Sequence, residues 1–188
     1  MNKIKSKSVI YYPIFLNLRG KRCVVIGGGN VALRKVKVLL DCGANVTMIS
    51  PKLRPEIVKL SKRKAIHLIQ LNYKKEDLED AVIAFACTDV KMVNRKVAAD
   101  AKKVGVLVNV ADDPGPSDFI IPSFFRRGNL TVAISTAGVS PALARRIRTK
   151  LEKSFGKEYT SLLSIIREIR SAIKRKRIIV EPEIWQEA

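Results

Sequence analysis

Three consecutive glycines, Gly27, Gly28 and Gly29, stand between the apolar run Cys23–Ile26 and a helix-like stretch that opens Asn30-Val31-Ala32. The chemistry that so bare a turn permits is anion binding. With no side chains in the way, a diphosphate reaches the backbone amides, and the following helix adds roughly half a positive charge at its N-terminus. Gly27 suits a tight turn, Gly29 close approach of a ligand, and Ala32 close packing of helix on strand. Together they fit G-x-G-x-x-A, the dinucleotide fingerprint. The competing reading is a turn needed only for packing. The second stretch with chemical capacity is Asn-Val-Ala-Asp-Asp-Pro-Gly-Pro-Ser-Asp-Phe, residues 109–119. Asp112 leaves an apolar strand at the sheet edge where ligands of open α/β sheets lie, which makes it the candidate acid or base. A pair, Asp112 and Asp113, that only shapes a proline turn is the alternative.

Elements on either side must position these groups. Short apolar strands are expected at about 21–26, 45–50, 66–71, 81–88 and 104–110, with helices after the first, second and fourth. Ala32, Val36, Leu39 and Leu40 form the apolar face of the first helix, which Gly43 stops. A basic helix is expected from about Leu53 to Lys64. The helix after the fourth strand carries Met92, Val93, Val97, Ala98 and Ala101 as its stripe. Strands alternating with helices imply a parallel sheet, because each parallel crossover needs a covering helix. The fold class is therefore α/β, a Rossmann-type parallel sheet followed by a small α+β region and C-terminal helices. After Val110 the pattern changes to two strands joined at Gly128-Asn129, then a helix capped by Ser140 with Pro141 at its first position. A last helix, 157–176, shows a narrow seam of Leu162, Ile166, Ile169 and Ile173. The expected divisions are 1–113, 114–140 and 141–188.

At the end of the second strand, where an acid would hold the ribose hydroxyls of NAD, stand Ser50-Pro51-Lys52, with Arg54 close by. No carboxylate is offered. A serine and backbone amides suit a ribose, and Lys52 or Arg54 suits the extra phosphate of NADP, so both nucleotides remain open.

The chain has 36 Lys+Arg against 17 Asp+Glu, a formal net charge of +19. Such a surface attracts polyanions of any kind. A nucleic-acid role has no motif to support it, and aromatics, at 6%, are not concentrated among the basic runs. Cys23, Cys42 and Cys87 form no CxxC pair, and buried thiols in a reducing cytoplasm are expected. No His/Cys cluster has metal-ligand spacing, so no tightly held metal is expected. His67, the sole histidine, falls in the third strand away from the candidate edge. Residues 8–18 are apolar but short and interrupted by Pro13, which suits neither a signal peptide nor a membrane span.

Four segments carry a family resemblance: 12–36 (YPIFLNLRGKRCVVIGGGNVALRKV), 86–89 (ACTD), 109–123 (NVADDPGPSDFIIPS) and 132–148 (VAISTAGVSPALARRIR). The chain resembles the precorrin-2 dehydrogenases, the N-terminal module of siroheme synthase, some of which are also sirohydrochlorin ferrochelatases. The resemblance implies NAD-dependent removal of two hydrogens from precorrin-2 to give sirohydrochlorin, with ferrous iron as a further substrate in some members. It also implies a homodimer formed through the strands of 114–140. It makes Asp112 the catalytic acid/base. Asn30 and Val31 join the glycines in binding the cofactor, as do Ser50, Pro51, Thr88, Asp89 and Val110. Ser135 and Thr136 become substrate-binding candidates, with Thr136 where serine is common. The substrate class carries eight carboxylates, so Arg145, Arg146 and Arg148 are plausible clamps. A regulatory NAD-binding module without catalysis is the rival; it would keep the glycine turn and have no use for Asp112.

Overall fold

The structure, a computed structural model, describes residues 9–179. It divides into two compact units, the first ending at Ile120 and the second beginning at Ile121.

In the first unit, β1 (Arg22–Ile26), β2 (Asn45–Ile49), β3 (His67–Ile69), β4 (Ile83–Ala86) and β5 (Leu107–Val110) form one parallel sheet in the order β3-β2-β1-β4-β5. Helices α1 (Asn30–Asp41), α2 (Pro55–Lys62) and α3 (Lys91–Val104) belong to the same unit. Side chains alternate across the sheet. Cys23 and Val25 of β1 join one core with Ala32, Val36 and Leu39 of α1, whereas Val24 and Ile26 join another with Val97, Ala98 and Ala101 of α3. Because both faces are covered, the central strands read as unbroken apolar runs. Each buried aliphatic side chain contributes roughly 1.5–3 kcal/mol relative to exposure. The strand order reverses between β1 and β4, and ligands of such sheets lie at that switch point, beyond the carboxyl ends of the strands.

Several features depart from expectation, and β4 and β5 keep only four residues each of the expected 81–88 and 104–110. β3 has three residues rather than the six of 66–71, because it is an edge strand that pairs with β2 alone. On α3, Met92 is 72% exposed instead of packed, while Asn94 and Asp100 are buried. The covered face centres on Val97, Ala98 and Ala101, and one step of about 100° carries Met92 off it. A 3₁₀ turn, Lys75–Leu78, buries Leu78 completely without any announcing periodicity. Nearby, the Tyr73 hydroxyl donates to Asp100 Oδ2 at 3.3 Å, which gives the buried carboxylate a partner.

In the second unit, β6 (Ser123–Arg127) and β7 (Leu130–Ile134) form the expected antiparallel hairpin, with φ +57° at Gly128. Helix α4 (Pro141–Ser154) starts as read: the Ser140 hydroxyl accepts from the Leu143 amide at 3.2 Å. Phe125, Phe155 and Tyr159 pack in series with tilted rings, at centroid distances of 6.2 and 5.0 Å. Helix α5 (Glu158–Arg175) has no buried residue, and Leu162 and Ile169 of its seam are 46% and 48% exposed. Among the described residues, no helix is long and apolar enough to cross a membrane.

The thiols give a pH prediction. Burial, reinforced by Cys42, pushes Cys23 up to about 11 from 9.0. Burial likewise pushes Cys87 up to about 11, against the pull of Lys35. A folded thiol that keeps its proton while the unfolded one releases it contributes stability that is present below pH 9 and lost as pH rises to about 11. Lys35, whose pKa burial lowers, opposes this as a single group against two. Urea unfolding should therefore show stability falling by a few kcal/mol between pH 9 and 11. A Cys23→Ala/Cys87→Ala double variant should lose most of that slope.

Candidate active site

The glycine turn is pinned on both sides. The Gly27 amide donates to Ile49 O at 2.9 Å, and the Cys87 amide donates to Ile26 O at 2.7 Å. Gly27 has φ +123°, and a Cβ there would lie 2.4 Å from Cys87 O. At Gly28 a Cβ would lie 1.8 Å from Lys52 O, because the chain after β2 crosses the turn at that point. The Arg54 amide holds the crossing by donating to Gly28 O at 3.3 Å. A Cβ at Gly29 would meet nothing within 4 Å. The first two glycines thus admit the protein's own backbone, and the third leaves space.

That space faces the start of α1. Gly29 is the N-cap, no side chain caps the helix, and its first turn holds no acidic residue. The first amides of a helix have no carbonyl partner within it, so those of Asn30 and Val31 are donors for an anion. This donor set fits the diphosphate of a dinucleotide.

Residues after β2 and β4 form the flanks. Ser50 is buried, and its hydroxyl donates to Lys52 O at 2.7 Å, which folds the backbone of Ser50-Pro51-Lys52 back toward the turn. After β4, the Thr88 amide and hydroxyl donate to Asn94 Oδ1 at 3.1 and 2.7 Å, and Asn94 Nδ2 donates to Thr88 O at 2.9 Å. Asp89 is exposed. Sequence reading missed Asn94; its signal was a lone amide inside the apolar stripe of α3.

The end of β5 is braced as firmly. The Ala111 amide donates to Ala86 O at 2.9 Å. Val110 is buried, and its amide donates to Ser117 Oγ at 2.9 Å, while that hydroxyl donates to Asp113 O at 2.9 Å. The Val108 amide donates to Asp118 Oδ2, and Asn109 Nδ2 to Phe119 O, both at 2.9 Å. Phe119 meets Phe85 edge-on at 5.6 Å. Ser117 and Asp118 were not singled out from sequence either. Within this frame Asp112 is exposed and has φ +60°, a conformation that aspartate and asparagine tolerate better than most residues. Asp113 does the turn-shaping: its Oδ1 accepts from the Gly115 amide at 3.3 Å. Lys35 Nζ of α1 lies 5.5 Å from the centre of the Phe85 ring. Burial lowers its pKa, while the charges of Cys87 and Asp112 act to raise it. The charge of Asp112, two residues past β5, thus reaches Lys35 of α1.

In the second unit, Ser135 Oγ accepts from the Ala137 amide and Thr136 Oγ1 from the Ser140 amide, both at 3.0 Å. Each hydroxyl keeps its proton to donate elsewhere. Arg145 and Arg146 are exposed. Arg148, read as a clamp beside them, instead pairs with Glu152, which also meets Arg127 at 3.4 Å.

A parallel sheet in this order, with an uncapped helix behind a glycine turn, defines a Rossmann-type module for NAD(P). Residues 14–123 match the family described as putative NAD(P)-binding, and residues 127–154 match the sirohaem biosynthesis protein central family. The siroheme synthase of Chromobacterium violaceum is 41% identical over 166 residues, covering 88% of this chain and 35% of that protein. That of Nitrosococcus oceani is 40% identical, covering 88% and 36%. The chain thus spans about a third of the length of these curated relatives. A solved structure described as SirC, precorrin-2 dehydrogenase, superposes with a TM-score of 0.77 at 31% identity, covering 94% of this chain and 86% of that one. The chain belongs to the precorrin-2 dehydrogenase family, which shares this module with siroheme synthases.

Proposed function

We propose that the protein oxidises precorrin-2 to sirohydrochlorin with NAD, in siroheme biosynthesis. The observation that carries this reading is the placement of uncapped α1 amides and an exposed, left-handed Asp112 at one end of one sheet. Bound NAD supplies the acceptor for a hydride. The amides of Asn30 and Val31 hold the diphosphate, and Gly29 leaves room for it. Asp112 takes the proton lost alongside the hydride, so that precorrin-2 and NAD⁺ become sirohydrochlorin, NADH and H⁺. Thr88 and Asp89 border the site beyond β4, and Asn94 fixes Thr88 for that purpose. Ser50 and Pro51 border the ribose. Ser135, Thr136, Arg145 and Arg146 receive substrate carboxylates.

A homodimer in the cytoplasm completes the reading. The exposed apolar residues Leu162, Ile165 and Ile169 of α5 support self-association, and the thiols of Cys23, Cys42 and Cys87 suit a reducing compartment. Light scattering of the purified chain should give twice the monomer mass.

Anaerobic precorrin-2 with NAD should produce the near-ultraviolet absorbance of NADH, one equivalent per macrocycle oxidised. Binding of NADH without turnover would leave a regulatory module. Adding ferrous iron to the product, and following the siroheme spectrum, tests chelation by the same chain.

A further inference from the structure

The loop after β2 differs from an NAD-selective one in charge and in what its polar groups already do. NAD-selective sheets of this type place a carboxylate at the end of β2, about 20 residues past the glycines, where it receives the ribose 2′-hydroxyl. Here that place belongs to Ser50, which is 6% exposed and whose hydroxyl already donates to Lys52 O at 2.7 Å. The next residues with functional side chains are cations, Lys52 and Arg54. They are not remote from the cofactor turn. Lys52 O lies where a Gly28 Cβ would be, and the Arg54 amide donates to Gly28 O. Backbone contact therefore holds the residues that carry both cations beside the diphosphate turn. The Lys52 side chain is exposed, and Arg54 Nε is buried without a hydrogen-bond partner. Glu56 offers a carboxylate close at hand, and its Oε1 meets Arg54 Nη2 at 3.4 Å. Glu56 follows Pro55 on the first turn of α2 and neutralises part of Arg54, which leaves the loop with a net positive charge.

We propose that this chain takes NADP as well as NAD, and that Lys52 and Arg54 read the adenosine 2′-phosphate. The proposal rests on the NAD(P) reading of the glycine turn and deepens it. A 2′-phosphate beside an acid is repelled; beside an ammonium and a guanidinium it gains charge-assisted hydrogen bonds. The ribose of NAD, without that phosphate, loses the bidentate acceptor but meets no repulsion. Both nucleotides are therefore accepted, and their ratio depends on ionic strength, since exposed charge pairs are screened over roughly 8 Å at physiological salt.

The test is direct binding, followed by the fluorescence of NADH and NADPH on titration with the purified chain. The wild type should bind NADPH at least as tightly as NADH at low salt, and added salt should weaken NADPH the more. Lys52→Glu should lower the NADPH-to-NADH affinity ratio at least tenfold, and Arg54→Gln should lower it in the same direction. Glu56→Gln, which frees Arg54, should raise it. NADH binding with NADPH more than tenfold weaker, or a ratio that Lys52→Glu leaves unmoved, overturns the proposal and leaves the turn's assignment standing. Binding of neither nucleotide overturns both.

Discussion

Replacing Asp112 by asparagine should lower precorrin-2 turnover by about 10²–10⁴-fold, the range general acid–base catalysis contributes. NADH affinity and thermal stability should stay near those of the wild type. Asparagine is the informative replacement because Asp112 sits at φ +60°, where asparagine substitutes with little strain. Alanine there would add roughly 1–2 kcal/mol of backbone cost and blur the result. Nothing else in the loop depends on the carboxylate: Ser117, Asp118 and Asn109 make the bracing hydrogen bonds. Loss of folding in Asp112→Asn would mean that the carboxylate is structural. Full turnover would remove it from the mechanism.

The second large effect separates two adjacent glycines. Gly28→Ala forces a Cβ to within 1.8 Å of Lys52 O, a backbone atom that cannot swing aside. The chain after β2 must shift, at a cost of about 1–3 kcal/mol, the usual range for overpacking. NADH affinity should fall with it, at least tenfold. Gly29→Ala meets nothing within 4 Å and has φ −91°, so the fold should tolerate it within about 0.5 kcal/mol. Its Cβ instead enters the space assigned to the diphosphate, and NADH affinity should drop without a change in unfolding free energy. Chemical denaturation with parallel NADH titration distinguishes the two. Equal destabilisation by both variants would mean the third glycine also serves packing alone.

That contrast also shows where sequence reading reached its limit. The sheet was legible because buried parallel strands are continuous apolar runs and each crossover helix repeats at 3.6 residues; Val24–Ile26 and Val36–Leu39 illustrate both. The hairpin was legible from Gly128-Asn129, and α4 from Ser140-Pro141, since each depends on local backbone chemistry. The role of Gly28 was not, because the fingerprint leaves its position free and its constraint comes from Lys52, distant in sequence. Asn94, Ser117 and Asp118 escaped for the same reason: each serves a backbone group on another segment. Met92 was misplaced because an apolar residue at a helix start satisfies the periodicity yet misses the covered face. Arg148 was grouped with Arg145 and Arg146 by spacing, whereas Glu152, one turn on, claims it. Asp112 could be named from its place after β5, but its left-handed backbone depends on a frame that local sequence does not reveal.

The central claim is that the amides after the glycine turn and the carboxylate of Asp112 serve one cofactor. A crystal structure of the chain with NAD tests it most directly. The diphosphate should lie about 3 Å from the amides of Asn30 and Val31, with the nicotinamide beside the Asp112 carboxylate at the end of β5. A nucleotide held away from α1, or a nicotinamide on the opposite side of the sheet from Asp112, would contradict the account.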